Sequence, residues 1–202
     1  MDATSRATIS AYTVLGIAGS LRRASFNRAL LRAAQELAPA GLRITTREID
    51  DIPFFNADVE EAGVPAPVAA LRAAVQQADA ILIATPEYNH GVPGVLKNTI
   101  DWLSRPAGGS VLLRKPAAIM GASPGLVGTA RAQSQLRQAF LFTNTYAMMQ
   151  PEVLVGRARE KFDAAGRLTD ETTRAFLATF LQAFAAWIAL VTRPAAGVAG
   201  RP

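Results

Sequence analysis

Apolar residues along the 202-residue chain fall into two alternating kinds of segment. Short runs occupy residues 13–18 (TVLGIA), 42–49 (LRITTREI), 79–85 (DAILIAT), 116–123 (PAAIMGAS) and 143–149 (TNTYAMM). Their length and apolar content predict strands. The second alternates apolar and polar positions and belongs near a sheet edge. The third is almost continuously apolar, as at the centre of a parallel sheet. Between the runs, apolar residues recur three and four apart. A helix from Asn27 lines up Leu30, Leu31, Ala34, Leu37 and Ala38, and Pro39 and Gly41 stop it. A second helix starts at Pro67. A third, over 94–104, turns Val95, Leu96, Thr99, Trp102 and Leu103 to one side. A fourth covers 130–142. The last buries Phe176, Leu177, Phe180, Leu181, Phe184, Ile188 and Val191. Thr169 is expected to cap it, with Asp170 and Glu171 in its first turn, where the helix dipole favours carboxylates. Residues 50–65 and 150–168 read as loops.

Strand and helix thus alternate through one domain, residues 12–192, between a flexible arm (1–11) and a disordered tail (193–202). Helical crossovers between short apolar strands imply parallel pairing with helices on both faces, an α/β doubly wound architecture. In such sheets ligands bind beyond the carboxyl ends of the strands. That rule selects the loops after the first, third and fourth strands.

Composition narrows the chemistry. There is no cysteine, so disulfides, thiolate nucleophiles and thiolate metal sites are excluded. His90 is the only histidine, which rules out a multi-histidine metal site within the chain. The net charge of +5 comes from scattered Lys and Arg without interleaved aromatics. That pattern speaks against nucleic acid and suits a modest field that attracts phosphorylated cofactors. No apolar run approaches the ~20 residues that span a bilayer, and the N-terminus lacks a signal-peptide core. A soluble, cytoplasmic protein without a membrane partner is expected.

The three selected loops are each unusual. GSLRRASFN, residues 19–27, offers Ser20, Ser25 and Asn27 as hydrogen-bonding side chains, Arg22 and Arg23 as charges, and the free amides of a helix N-terminus. These are the parts of a phosphate cradle. It is neither G-x-G-x-x-G nor a Walker sequence, and Ser25 or Asn27 also suits a simple helix cap. PEYNH, residues 86–90, ends a buried strand with a carboxylate, a phenol, an amide and the lone histidine. Backbone groups there match the edge of a planar heterocycle and an aromatic ring covers part of its face; a solvated turn is the plainer reading. ASPGLVGTAR, residues 122–131, contributes Ser123, Gly125 and Gly128, whose small size admits a close ligand.

GSLRRASFN, PEYNHGVPGVLKNTIDWLSR and ASPGLVGTAR, in this order, resemble the NADPH-dependent FMN reductase family, in the branch of bacterial quinone, chromate and azo-dye reductases. The resemblance covers residues 13–191, and RLTDETTRAFL fits the family's C-terminal pattern. It implies a flavodoxin-like five-stranded sheet in the order 2-1-3-4-5 and non-covalent FMN. By position, Ser20, Leu21, Arg22, Ser25, Phe26 and Asn27 match the residues around the flavin phosphate. Pro86, Glu87, Tyr88 and Asn89 match the isoalloxazine and ribityl loop, and Ser123 and Gly125 a further flavin contact. Gly91 stands where many members carry Ser, and Thr129 where many carry Gly.

The implied activity is transfer of electrons from NAD(P)H through FMN to quinones or related acceptors: free flavin, azo compounds or chromate. Tyr88 and His90 are candidates for orienting the second substrate. Homodimers or homotetramers are implied, with the helix carrying Trp102 resembling the family's subunit contact. The alternatives are a flavodoxin-type electron carrier without NAD(P)H turnover and a flavin-free module that binds nucleic acid.

Overall fold

The structure, a computed structural model, describes residues 11–193. The expected arm and tail lie outside the described residues except for Ala11 and Arg193. The elements are β1 (Tyr12–Ala18), α1 (Phe26–Glu36), β2 (Leu42–Arg47), α2 (Ala57–Ala62), α3 (Ala66–Gln77), β3 (Ala80–Ala84), α4 (Gly94–Leu103), β4 (Pro116–Ala122), α5 (Ala130–Phe142), β5 (Tyr146–Ala147), β6 (Val153–Val155), α6 (Ala158–Lys161) and α7 (Glu171–Val191).

All strand pairs are parallel, and the order is β2-β1-β3-β4-β5, as the resemblance implied. A sixth strand was not expected. β6 pairs with the carboxyl half of β4, from Met120 to Ala122, while β5 pairs with its amino half at Pro116 and Ala117. Two short strands therefore share the edge that a single strand over 143–149 was expected to fill. Thr143 and Thr145 are instead tied to each other and to the end of α5, Thr143 being its C-cap.

Alternating side chains of the sheet feed two cores. On one face Val14, Leu82 and Met120 pack with Leu30 of α1 and Leu177, Phe180 and Phe184 of α7. On the other, Ile17, Ile81, Ile83 and Ile119 pack with Leu71 of α3, Leu96 of α4 and Leu136 and Phe140 of α5. The sheet is thus covered on both sides, and its carboxyl edge is where loops are free to form a site.

Several local expectations are corrected. Asp170, not Thr169, is the N-cap of α7: its carboxylate accepts from the Thr173 amide at 2.9 Å. Thr169 instead donates its hydroxyl to the Lys161 carbonyl. Phe176 is 44% exposed and Val191 only half-buried, because the buried row runs through Leu177, Phe180, Leu181, Phe184 and Ile188. α7 also meets the length and composition of a membrane span, with 21 residues and a mean hydropathy of 1.6 over its most apolar window, which the sequence reading did not anticipate. Here its apolar row packs against the sheet and α1. Within 50–65, the short helix α2 is capped by Asn56. That segment is anchored by Pro53, whose carbonyl accepts from Asn98 Nδ2 at 2.9 Å and Trp102 Nε1 at 2.8 Å. Trp102 is therefore internal, 1% exposed.

Candidate functional site

The three loops meet because the strand ladder continues past the strands. Gly19 N donates to Ala84 O, Thr85 N to Met120 O and Ser123 N to Val155 O, each at 2.9 Å. Gly19 has no space for a side chain: a Cβ would lie 2.9 Å from Leu96 Cδ2. The first loop consequently rests directly on α4.

Within the first loop, Ser25 is the N-cap of α1, its hydroxyl accepting from the Asn27 amide at 3.1 Å and the Arg28 amide at 3.4 Å. The hydroxyl proton remains available to a ligand. Asn27 does something else. Its amide group donates to Ala122 O and accepts from Ala122 N, both at 2.9 Å, and is buried. It latches α1 to the end of β4 and is a positioning residue. Phe26 packs its ring against Phe162, centroids 5.4 Å apart. Arg28 holds the Ser20 carbonyl and pairs with Glu48.

What remains free in this loop is a set of donors. The amides of Leu21, Arg22, Arg23 and Ala24 have no acceptor among the described residues. Ser20 is 4% exposed, yet its hydroxyl has no partner there either. Arg22 and Arg23 are exposed and approach no carboxylate among the described residues. Unfilled amides at a helix N-terminus, two hydroxyls and a guanidinium fit a phosphate monoester such as that of FMN.

The second loop is partly structural. Glu87 buries its carboxylate against α5, accepting from the Arg131 amide at 2.9 Å and the Ala132 amide at 3.1 Å. It acts as the cap of that helix, so only its backbone is available to a ligand. Tyr88 N and Gly91 O, and Gly91 N and Tyr88 O, bond at 3.2 and 3.0 Å around a two-residue turn. Both central residues, Asn89 (φ 51°) and His90 (φ 62°), are left-handed, the requirement of a type I′ turn. The turn holds Tyr88, 55% exposed, above the strand ends. Gly91 backs onto Gln135, whose Oε1 accepts from the Val92 amide at 2.7 Å.

The third loop corrects one expectation about glycine. Gly128 has φ 62°, and a Cβ there would lie 2.8 Å from the Leu154 backbone. The approach of β6, not of a ligand, demands it. Gly125 is exposed with room beside it, and Ser123 accepts from the Gly125 amide at 3.1 Å. Thr129 is buried in the space left by Gly121, whose Cβ would clash with its hydroxyl, and it accepts from Gln133.

The structure thus joins the first loop to the third through Asn27, the second to the third through Glu87, and the first to the second through Gly19. It brings together Ser20, Leu21, Arg22, Ser25, Pro86, Tyr88, Asn89, Ser123 and Gly125 at one edge, turns Asn27 and the Glu87 carboxylate inward, and leaves Phe26 half-buried against Phe162. Sequence reasoning missed the segment 162–166, which meets the first loop through Phe162 and α1 through Gly166, whose carbonyl accepts from Arg32 at 3.4 Å. Asp163 in this segment is held below the ordinary carboxylate range, first by the Arg167 amide and then by its guanidinium.

A family model described as NADPH-dependent FMN reductase matches residues 12–160. An NAD(P)H-dependent FMN reductase of Pseudomonas aeruginosa is 47% identical over 175 residues, covering 87% of this chain and 94% of that protein. A quinone reductase of Pseudomonas putida is 42% identical over 179 residues, 89% of this chain and 96% of its own. Among solved structures, the flavoenzyme NAD(P)H:(acceptor) oxidoreductase FerB of Paracoccus denitrificans superposes with a TM-score of 0.80 at 39% identity, over 89% of this chain and 98% of that one.

Proposed function

The chain belongs to the NADPH-dependent FMN reductase family, and from that premise we propose an FMN-dependent NAD(P)H oxidoreductase that delivers electrons to quinones. The observation that carries this reading is the first loop, with four amides and the Ser20 hydroxyl unpartnered beside an exposed Arg22. The names of the relatives, an FMN reductase and a quinone reductase, support it. They lend no support to an electron carrier without its own turnover.

FMN, when bound, supplies the two-electron chemistry that links the nicotinamide to the acceptor. The protein's part is binding and orientation. The amides of 21–24, the hydroxyls of Ser20 and Ser25 and the Arg22 guanidinium hold the phosphate, with Leu21 as an apolar wall. Asn27 and Phe26 fix the loop from behind. The backbone of Pro86, Glu87, Tyr88 and Asn89 reads the edge of the flavin ring, and Ser123 and Gly125 leave it room. Backbone donors near a developing negative charge stabilise it without reorganisation. Tyr88 and His90, both exposed on the turn, orient the second substrate. No side chain serves as a nucleophile.

The same reading extends to free flavin, azo compounds and chromate as acceptors, and to a homodimer or homotetramer. The enzyme is one domain over residues 12–192, cytoplasmic, without nucleic-acid or membrane partners.

The test is an absorption spectrum of purified protein with FMN, followed by NADPH without oxygen. Flavin bands that bleach and then return with benzoquinone are expected. Binding without bleaching would favour an electron carrier, and no binding would remove the flavin site.

A further inference from the structure

Two neighbouring pockets open beside the first loop, where α1 meets residues 163–166. The larger, about 450 Å³, has apolar walls that include Phe26 and Ala29, and is lined also by Arg22, Arg23 and Arg32. The smaller, about 300 Å³, shares Arg23 and Arg32 with it and adds Arg28 and Glu48. Arg23 and Arg32 therefore stand between the two.

The charges around these pockets are unevenly matched. Arg28 is neutralised by Glu48 and also holds Ser20 O. Asp163, the acid of the larger pocket, is bound by both the amide and the guanidinium of Arg167, at 2.8 and 2.7 Å. Arg23 has no carboxylate partner among the described residues, and Arg32 touches only the Gly166 carbonyl, at 3.4 Å. Both pockets thus carry two guanidiniums without a paired carboxylate, and a bound dianion would supply the counter-charge. An aromatic and aliphatic wall beside two planar cationic forks is the complement of an adenosine phosphate. In that arrangement the base would lie against the half-buried Phe26 and the phosphate would meet the forks.

We propose that Arg23 and Arg32 bind the ribose 2′-phosphate of the reducing dinucleotide, so that this chain selects NADPH over NADH. The inference rests on the flavin-reductase reading, in which Arg22 and the loop amides hold the flavin phosphate. The larger pocket shares Arg22 and Ser25 with that cradle, so the two phosphate sites adjoin.

The test uses the FMN-loaded protein. Adenosine 2′,5′-bisphosphate is titrated calorimetrically into wild type, Arg23→Ala and Arg32→Ala, with 5′-AMP as the comparison. In parallel, kcat/KM is measured with NADPH and NADH. The bisphosphate is expected to bind wild type more tightly than 5′-AMP does, and each substitution to weaken it by about tenfold, the scale of one charge-assisted contact. The ratio of kcat/KM for NADPH to that for NADH is expected to fall by a similar factor, and Lys at either position to restore part of it. Equal bisphosphate affinity in wild type and variants, or a parallel fall with both dinucleotides, would overturn the proposal. Arg32→Ala also removes the bond to Gly166; should it fail to fold, Arg23→Ala decides alone. A protein that shows no flavin absorbance to begin with would fail the flavin reading, a separate result from loss of selectivity.

Discussion

His90 occupies the second central position of the turn at Tyr88 to Gly91, where glycine fits best. An L-residue held left-handed there costs roughly 1–2 kcal/mol, whereas glycine in the same place gives up about 0.5–1 kcal/mol of unfolded-state entropy. His90→Gly is therefore expected to leave the melting temperature unchanged or slightly raised. His90 orients the substrate without donating a proton, and Gln keeps a hydrogen-bonding group at that place on the turn, so His90→Gln should keep quinone turnover near wild type. A loss of ~10²-fold, the scale of general-acid catalysis, would make the imidazole a proton donor. Asn27 is the opposite case. From sequence it was readable as a phosphate ligand or a helix cap, because both roles use neighbouring residues. Its actual partner, Ala122, lies 95 residues away, beyond any local pattern. Asn27→Ala leaves the buried amide and carbonyl of Ala122 unpaired, at about 1–3 kcal/mol for each group. Urea unfolding should show a loss of about 2 kcal/mol or more. A smaller loss would mean that water replaces the side chain.

Elements with a sustained period were legible, and short ones were not. β3 and β4 are buried throughout and β1 from Val14 onward, and their apolar runs announce them. β5 and β6 have two and three residues, too few to show a period, and each pairs with one half of the edge of β4. The start of α7 was misplaced by one residue because Thr169 and Asp170 are both good caps, and geometry alone decides between them. The choice of Asp170 carries a pH signature. Its carboxyl is held below the ordinary value of 3.8, chiefly by the hydroxyl and amide of Thr173 and further by Lys161. A carboxyl with a lowered folded-state pKa contributes stability above its unfolded value, and that contribution disappears as pH falls through the folded value. Wild type should melt above Asp170→Asn at neutral pH, and the gap should close as pH is taken below 3.8. A gap that stays constant into acid would assign the effect to packing rather than charge.

Across the whole molecule, the site is assembled from segments that begin at Gly19 and end near Gly125, more than half of the chain. Strand order was legible from the resemblance and the site edge from topology, since a parallel sheet leaves only its carboxyl ends open to ligands. The division of labour inside the loops was not legible, because Glu87 and Asn27 look like ligands until the helix or strand they hold is known. A ligand that bridges such loops stabilises the fold by mass action. At a free FMN concentration of 100 times Kd the gain is about 2.7 kcal/mol. For a domain of this size each kcal/mol moves the melting temperature by about 2–4 °C, giving an FMN shift of about 5–10 °C. Riboflavin has the same ring and no phosphate, so it forms none of the charge-assisted bonds to the first loop. At equal concentration its shift should be much smaller, and the FMN shift alone should shrink with added salt. If riboflavin stabilises as well as FMN does, the free amides of residues 21–24 are not a phosphate cradle, and the ring-edge loop at 86–89 must carry the affinity by itself.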